Sequence, residues 1–399
     1  MPRCVVIGGG GIGSAAAYWL SRRAGEDVVC IEQFQLGHEL GASEDHSRII
    51  RHGYHSPVYT ALTGPAYAAW REVEAESGVP LVHTTGMLNL ARCDSVGSGI
   101  LDAYTASMDA FGIAHERIGA ADVMRRWPQF RLPADHEAIF QPEGGILDIR
   151  RAGAVLRALA RGRGAAVMGD AQVTAIRPGE RGVTVESAAG DFEAERVVVC
   201  TGAWTRELLR GLGHDWPIRL THEQVTYFQT PNLAAFAPSR FPVWVWHGDG
   251  DDEYYGFPVY GEVATKAAQD LGGRETSLDA WPAPPDAERV ARVARFCEEI
   301  LPGYTGPELR TRSCLYDMPP DRDFVVDLLP GEPRIAVCIG AGHAAKFAGV
   351  LGRILSELAL DGATGFPIEA FRADRPALAD PGFRPAYRLA GVPSTGAAP

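Results

Sequence analysis

The N-terminal stretch alternates short apolar runs with glycine. Cys4–Ile7 is apolar and β-branched and predicts a buried strand. Ser14–Arg22 has helical spacing, with Ala15, Ala16 and Ala17 allowing close packing, and Val28–Ile31 predicts a second buried strand ending at Glu32. Further along, helices are expected over Tyr59–Gly78, most of Leu101–Trp127, Ala152–Arg161, Asp286–Ile300 and Ala344–Leu360. A strand pair is expected around Thr84-Thr85-Gly86, within Leu81–Ala91. From Ala166 to Trp204 the pattern predicts strands in meander order, at Val167, Val173–Ile176, Val183–Ser187 and Arg196–Cys200. A half-polar β region runs from Arg219 to about Lys266, and Arg334–Ile339 is a buried strand followed by the turn Gly340-Ala341-Gly342-His343. There is no internal repeat, and the Pro- and Ala-rich segment Phe371–Pro399 is expected to fray at its end.

The first strand, turn, helix and second strand make one βαβ unit. Within its turn, Gly8, Gly10 and Gly13 form G-x-G-x-x-G. The first glycine allows a tight turn, the second lets a pyrophosphate approach the backbone, and the third lets helix and strand pack. The helix N-terminus faces the anion, and Glu32 stands where a carboxylate accepts hydrogen bonds from an adenosine ribose. The combination points to an adenine dinucleotide without separating NAD from FAD. Nucleotide-fold segments recur in the middle and near the end of the chain, with two β-rich insertions between them. By fold-level analogy, such interleaving favours a flavoprotein over a contiguous NAD domain.

Charge narrows the partners. The 38 basic against 50 acidic residues give a net charge of −12, which argues against nucleic acid and anionic membrane surfaces. No apolar run reaches the ~18–20 residues of a membrane span. Seven scattered cysteines without C-x-x-C read as reduced thiols and a cytoplasmic protein. Of the basic residues only Lys266 and Lys346 are lysine. Arginine replaces lysine in almost any surface role but not as a compact ammonium in a tight pocket, so both lysines invite a functional reading. Metal chemistry has no framework: an EF-hand loop from Asp249 would need its last glutamate where Tyr260 stands, so Gly248–Glu253 reads as an acidic hairpin loop. His52 and His55 lack further zinc ligands.

Six stretches, in order along nearly the whole chain, resemble the monomeric sarcosine oxidase family of D-amino-acid-oxidase-like flavoproteins. They are the glycine fingerprint, Gly41-Ala42-Ser43-Glu44-Asp45-His46-Ser47-Arg48-Ile49-Ile50-Arg51-His52, Val199-Cys200-Thr201-Gly202-Ala203-Trp204, Tyr254-Tyr255-Gly256-Phe257-Pro258 with Lys266, Ser313-Cys314-Leu315-Tyr316 with Asp323 to Asp327, and Gly340-Ala341-Gly342-His343-Ala344-Ala345-Lys346-Phe347. The resemblance implies an α/β protein: a discontinuous Rossmann-like FAD-binding domain over residues 1–85, 145–215 and 322–390. An interleaved α+β substrate domain, dominated by a large mixed or antiparallel sheet, covers 86–144 and 216–321. It implies an FAD cradle of Gly8, Gly10, Ile12, Gly13, Glu32, Gln33, Ser43, His46, Arg48, Val173, Gly202, Trp204, Gly340, Gly342 and Lys346, with a covalent thioether from Cys314 to the flavin 8α-methyl. Such a bond needs a thiolate, and Arg310, Arg312 and Arg48 are the basic groups expected to depress its pKa.

The resemblance further implies that Arg51 and Lys346 hold a substrate carboxylate, that Lys266 activates oxygen, that His343 stands beside carboxylate and flavin, and that Tyr255 and Tyr316 line the pocket. Three departures bear on the substrate. Asp270 stands where simple sarcosine oxidases carry histidine, Ala344-Ala345 replaces Gly-Phe, and Trp244 and Trp246 are expected to add bulk to the pocket. The expected activity is oxidation of a secondary or cyclic α-amino acid to an imine, with O2 reduced to hydrogen peroxide, by a monomer or weak homo-oligomer. An FAD dehydrogenase using a quinone or carrier, and a non-catalytic flavin-binding protein, are the alternatives.

Overall fold

The βαβ unit forms as its pattern requires. In the computed structural model, which describes residues 2–249 and 252–386, Cys4–Ile7 runs parallel to Val28–Ile31 on one side and Arg196–Val199 on the other. Ala166–Met168 extends the sheet past Val28–Ile31, and Glu332–Ile339 extends it past Arg196–Val199, both in parallel. Val325–Leu329 closes that edge antiparallel. The central strands Cys4–Ile7 and Val28–Ile31 are fully apolar because both faces are covered, whereas Arg196, Asp327, Glu332 and Arg334 put charge into the outer strands. One face carries the helices Gly11–Ala24, Pro57–Ser77, Ile149–Gly162 and Ala348–Asp361; the other packs on a second apolar layer that includes Ile176, Val185, Leu209 and Trp216.

Helix Gly11–Ala24 sits unusually close to its neighbours. A Cβ on Gly13 would lie 1.8 Å from the Gly8 carbonyl oxygen, and one on Gly352 would lie 2.5 Å from the Ala15 backbone. Glycine at both positions lets the helix press against the turn below it and against the last helix above it.

A second sheet of nine strands faces the first across a cavity. From one edge it runs Glu308–Met318, Arg219–Phe228, Thr265–Gln269, Glu253–Phe257, Val243–His247, Met87–Arg92, His136–Gln141 and Glu116–Gly119, with Arg274–Thr276 pairing the start of Arg219–Phe228. Every pairing is antiparallel except Val243–His247 with Met87–Arg92. One face looks into the cavity. The other packs Trp244, Tyr254 and Phe228 against Phe236, Phe241, Tyr304 and the helix Ala287–Ile300.

Four expectations are corrected. Val82–Thr84 and Met87–Arg92 are both strands but do not pair; the first joins a small sheet with Gly145–Leu147 and Arg48–Ile50, the second the large sheet. Leu101–Trp127 is interrupted: the helix runs Val96–Ala110, turns at Gly112, and is followed by strand Glu116–Gly119 and the short helix Ala120–Arg126. In Ala166–Trp204 only Val173–Pro178, Val183–Ser187 and Phe192–Ala194 form a meander, while Ala166–Met168 and Arg196–Val199 belong to the parallel sheet. The last helix begins with a 3₁₀ turn, Ala344–Phe347, before Ala348–Asp361. The end of Phe371–Pro399 that was expected to fray, residues 387–399, lies outside the described residues.

Replacing Gly352 tests the helix crossing. Gly352→Val should destabilise the protein by about 1–3 kcal/mol through overpacking, read from the denaturant midpoint. An unchanged midpoint would mean that the two helices can separate without loss.

Candidate active site

The cavity between the sheets holds ≈ 1230 Å³. Most residues singled out from the sequence line it: Gly8, Gly10, Ile12, Glu32, Gln33, Ser43, Arg48, Arg51, Val173, Gly202, Trp204, Tyr255, Lys266, Asp270, Cys314, Tyr316, Gly340, Gly342, His343 and Lys346. Gly13 lies behind the turn, where it packs on Gly8. His46 is turned away from the cavity, its Nε2 3.2 Å from Glu262 Oε1. Trp244 and Trp246 point to the opposite face of their strand, into the core against Phe296, and Val245 takes the cavity side instead. A strand buried on both faces does not announce its phase.

At one end the cavity fits a dinucleotide. The helix Gly11–Ala24 has no side-chain cap from Gly10, and its N-terminus faces the cavity with the first-turn N–H of Gly11 already engaged. The Gly11 N–H donates to Ser43 Oγ at 2.8 Å, and a Cβ at Gly10 would lie 3.0 Å from that oxygen. Glu32 accepts N–H bonds from Gly9 at 2.7 Å and Phe34 at 3.1 Å. Burial works to raise its pKa, but His38 and these two N–H groups hold the carboxyl below its ordinary range, so it remains an acceptor. Arg157, which the sequence did not single out, adds a cation here and donates to the Gly9 carbonyl at 3.2 Å.

At the middle, Lys266 is buried. Its Nζ donates to Asp45 Oδ2 at 2.6 Å, the Ser47 carbonyl at 2.8 Å and Ser47 Oγ at 3.0 Å. Burial pulls its pKa down to about 8, while Asp45 holds it up. Arg48 is tied to the carbonyls of Ala42, Glu44 and Ser47.

Cys314 faces the cavity from the edge strand. Burial pushes its thiol up to about 12, against the opposing pull of Arg48 and Lys266. The expected help from Arg310 and Arg312 is absent because Arg310 pairs with Glu262 and Arg312 with Glu39 at 2.6 Å. Three residues on, Asp317 accepts the N–H groups of Gly340 at 3.3 Å and Gly342 at 3.2 Å. It thereby ties the strand of Cys314 and Tyr316 to the turn before His343 and Lys346. Burial raises this carboxyl to about 6.

The far end collects charge. Arg51 Nη2 donates to the Tyr104 hydroxyl at 3.2 Å, its guanidinium lies 4.9 Å from the Tyr54 ring centroid, and its Nε is buried without a partner. Lys346 Nζ donates to the His343 carbonyl at 3.1 Å. Among the described residues neither cation has a carboxylate partner. Burial, with Arg51 beside it, holds the Lys346 pKa well below its ordinary value. The His343 ring donates from Nε2 to the Arg322 carbonyl at 3.0 Å. Burial, then Arg322 and Lys346, keep it neutral.

Two charged residues here were missed. Arg322, held at φ +61°, donates to Asp270 Oδ2 at 2.6 Å. Glu253, read from the sequence as part of an acidic hairpin loop, instead starts a strand and lines the cavity, with His247 Nδ1 3.4 Å away. Burial works to raise its carboxyl, but His247, Arg322 and Arg51 bring it below its ordinary range. The outer wall is the first part of helix Val96–Ala110, which contributes Val96, Ile100 and Tyr104; Val96 is 63% exposed and stands at the mouth.

The chain has known relatives and structural neighbours. N-methyl-L-tryptophan oxidase of Escherichia coli strain K12 is 31% identical over 376 residues, 93% of this chain and 98% of that protein. The solved structure of NikD, an unusual amino acid oxidase essential for nikkomycin biosynthesis, superposes with a TM-score of 0.81 at 28% identity, covering 92% of this chain and 96% of that one. L-proline dehydrogenase from P. horikoshii shares the fold, with a TM-score of 0.82 at 20% identity over 93% of this chain and 96% of that one. Residues 3–358 match the family described as FAD dependent oxidoreductase. With the dinucleotide cradle in place at the end of the cavity, the chain belongs to that family.

Proposed function

We propose that the protein is an oxidase of a secondary or cyclic α-amino acid. The observation that carries this reading is the pair of cations without acidic partners, Arg51 and Lys346, at the end of a cavity where Arg322 and Lys266 are already paired. An Arg fork and an ammonium together suit an α-carboxylate. Binding it offsets the burial that disfavours the charged lysine. The same cations, with Arg322, disfavour a second positive charge, so the amine enters unprotonated. His343 is neutral and acts by shape and hydrogen bonding, not as an acid. Tyr255 and Tyr316 flank the reacting carbon, while Asp270, fixed by Arg322, offers an acceptor for a polar ring atom or second amine. The apolar wall of Val96, Ile100 and Tyr104 leaves room for a substrate larger than sarcosine. FAD, held by Gly8–Ile12, Glu32 and Ser43, would supply the electron acceptor for the loss of a hydride equivalent from the carbon next to nitrogen, leaving an imine, with O2 taking up the two electrons and two protons as hydrogen peroxide. Lys266 serves the oxygen step as a fixed charge.

Peroxide release, screened over N-methyl and cyclic amino acids, tests the reading. The specificity constant should be higher for proline, pipecolate or an N-methyl aromatic amino acid than for sarcosine, and a maximum at sarcosine would overturn the assigned substrate class.

Losing one member of the carboxylate clamp should weaken competitive carboxylate inhibitors by roughly 2–5 kcal/mol. Inhibitor titrations of Arg51→Ala and Lys346→Met check this, and unchanged affinity in both would remove the clamp.

Cys314 is the residue for a thioether to the flavin. Acid precipitation of the holoprotein should leave the yellow colour in the pellet for wild type and release it for Cys314→Ala. Colour in the wild-type supernatant would rule the bond out.

A further inference from the structure

Asp45 is the least expected residue near the site. It is a non-glycine residue held at φ +125°, a region that side chains disfavour, and it is 2% exposed. Strain of this kind persists where surrounding contacts demand it, and here they are specific. Oδ2 takes the Lys266 ammonium at 2.6 Å and Arg48 Nη1 at 3.4 Å. Oδ1 takes the His46 N–H at 2.8 Å and the Tyr227 hydroxyl. With the Ser47 carbonyl and hydroxyl, Asp45 uses all three N–H groups of Lys266. The ammonium is left with charge to offer and no free donor. It lies 4.4 Å from the Phe257 ring centroid and 5.8 Å from that of Tyr227, so its remaining surroundings are largely apolar.

We infer that Asp45 is a positioning residue: it keeps the buried Lys266 charged and fixed in the cavity wall. The inference rests on the reading that Lys266 serves the oxygen step, and extends it to the residue that makes that charge available. A lysine so enclosed would lose its proton near neutral pH without a counter-ion. Although burial alone would raise the Asp45 carboxyl, Lys266, Arg48 and the Tyr227 hydroxyl hold it far below its ordinary range, so it stays an anion throughout. The other titratable or charged groups facing the pair are Arg48 and Cys314, which act on Lys266 directly, Tyr227 across the neighbouring strand, and Arg310, which lies 5.2 Å from the Tyr227 ring centroid. Arg48 disfavours the lysine's charge and Cys314 favours it less than Asp45 does, which makes Asp45 the main group that sustains it.

The chain has only two lysines, which makes the test direct. Holoenzyme carrying lysine ¹³C-labelled at Cε gives two lysine resonances, assigned with Lys346→Met. The Lys266 resonance should titrate near pH 8 in wild type. In Asp45→Asn and in Asp45→Gly, where glycine suits the φ, it should titrate about 1–3 pH units lower. An unchanged titration in both variants would overturn the inference. Reoxidation by oxygen, measured by stopped flow after anaerobic reduction, should lose rate over the same pH range in each protein. A displaced titration with oxygen rates that ignore it would support the ion pair and overturn the oxygen role of Lys266.

Discussion

The site depends on one close approach of backbone to backbone. Helix Gly11–Ala24 rests on the Gly8 carbonyl at Gly13 and receives the last helix at Ala15, where Gly352 has no side chain to interpose. The buried residues of its first half, Gly11, Gly13, Ser14, Ala15, Ala16 and Ala17, contribute little bulk. That thinness brings a late segment of the chain onto its beginning, so Gly340, Gly342–Lys346 and Gly8–Ile12 border one cavity. Interior packing at this density does not tolerate added methylenes without displacement, and displacement here would move the cofactor cradle and the substrate wall together.

Charge in the cavity is divided with equal economy. Lys266 is paired with Asp45 and Arg322 with Asp270, each at 2.6 Å. Glu253 has His247 behind it. Only after these pairs are drawn do Arg51 and Lys346 stand out, both desolvated and both lacking an anion among the described residues. A buried cation is held at a cost unless something compensates it. On the proposed reading an α-carboxylate would be that compensation, and recognition would follow from a defect that the fold leaves open.

Much of this was legible beforehand. The βαβ unit declares itself because buried parallel strands are apolar throughout and the glycine spacing has a single structural use. The lysines stood out because thirty-six of the thirty-eight basic residues are arginine. What stayed hidden was relational. Asp45 sat inside a quoted block, but its contact with Lys266 joins segments far apart in the chain. The phase of Val243–His247 was unreadable because apolar residues occupy both faces, and so Trp244 and Trp246 were assigned to the wrong side. Ala166–Met168 and Arg196–Val199 look like members of a meander until their parallel partners are known. Cys314 shows the limit in electrostatics: neighbouring arginines in sequence answer to glutamates elsewhere, and burial prevails at the thiol.

The exposed first residue of helix Val96–Ala110 has a consequence for how this protein can change. The opposite wall is locked, because Asp317 joins the strand of Cys314 to the turn that carries Lys346. Val96 stands at the mouth, largely in water, and exposed positions tolerate substitution within about 0.5 kcal/mol. New side chains can therefore be sampled where a substrate enters without unsettling the groups that hold the cofactor. Change at that doorway is expected to begin at Val96, whereas Ile100 packs against the cluster of Leu101, Tyr104 and Met108 and is held by it.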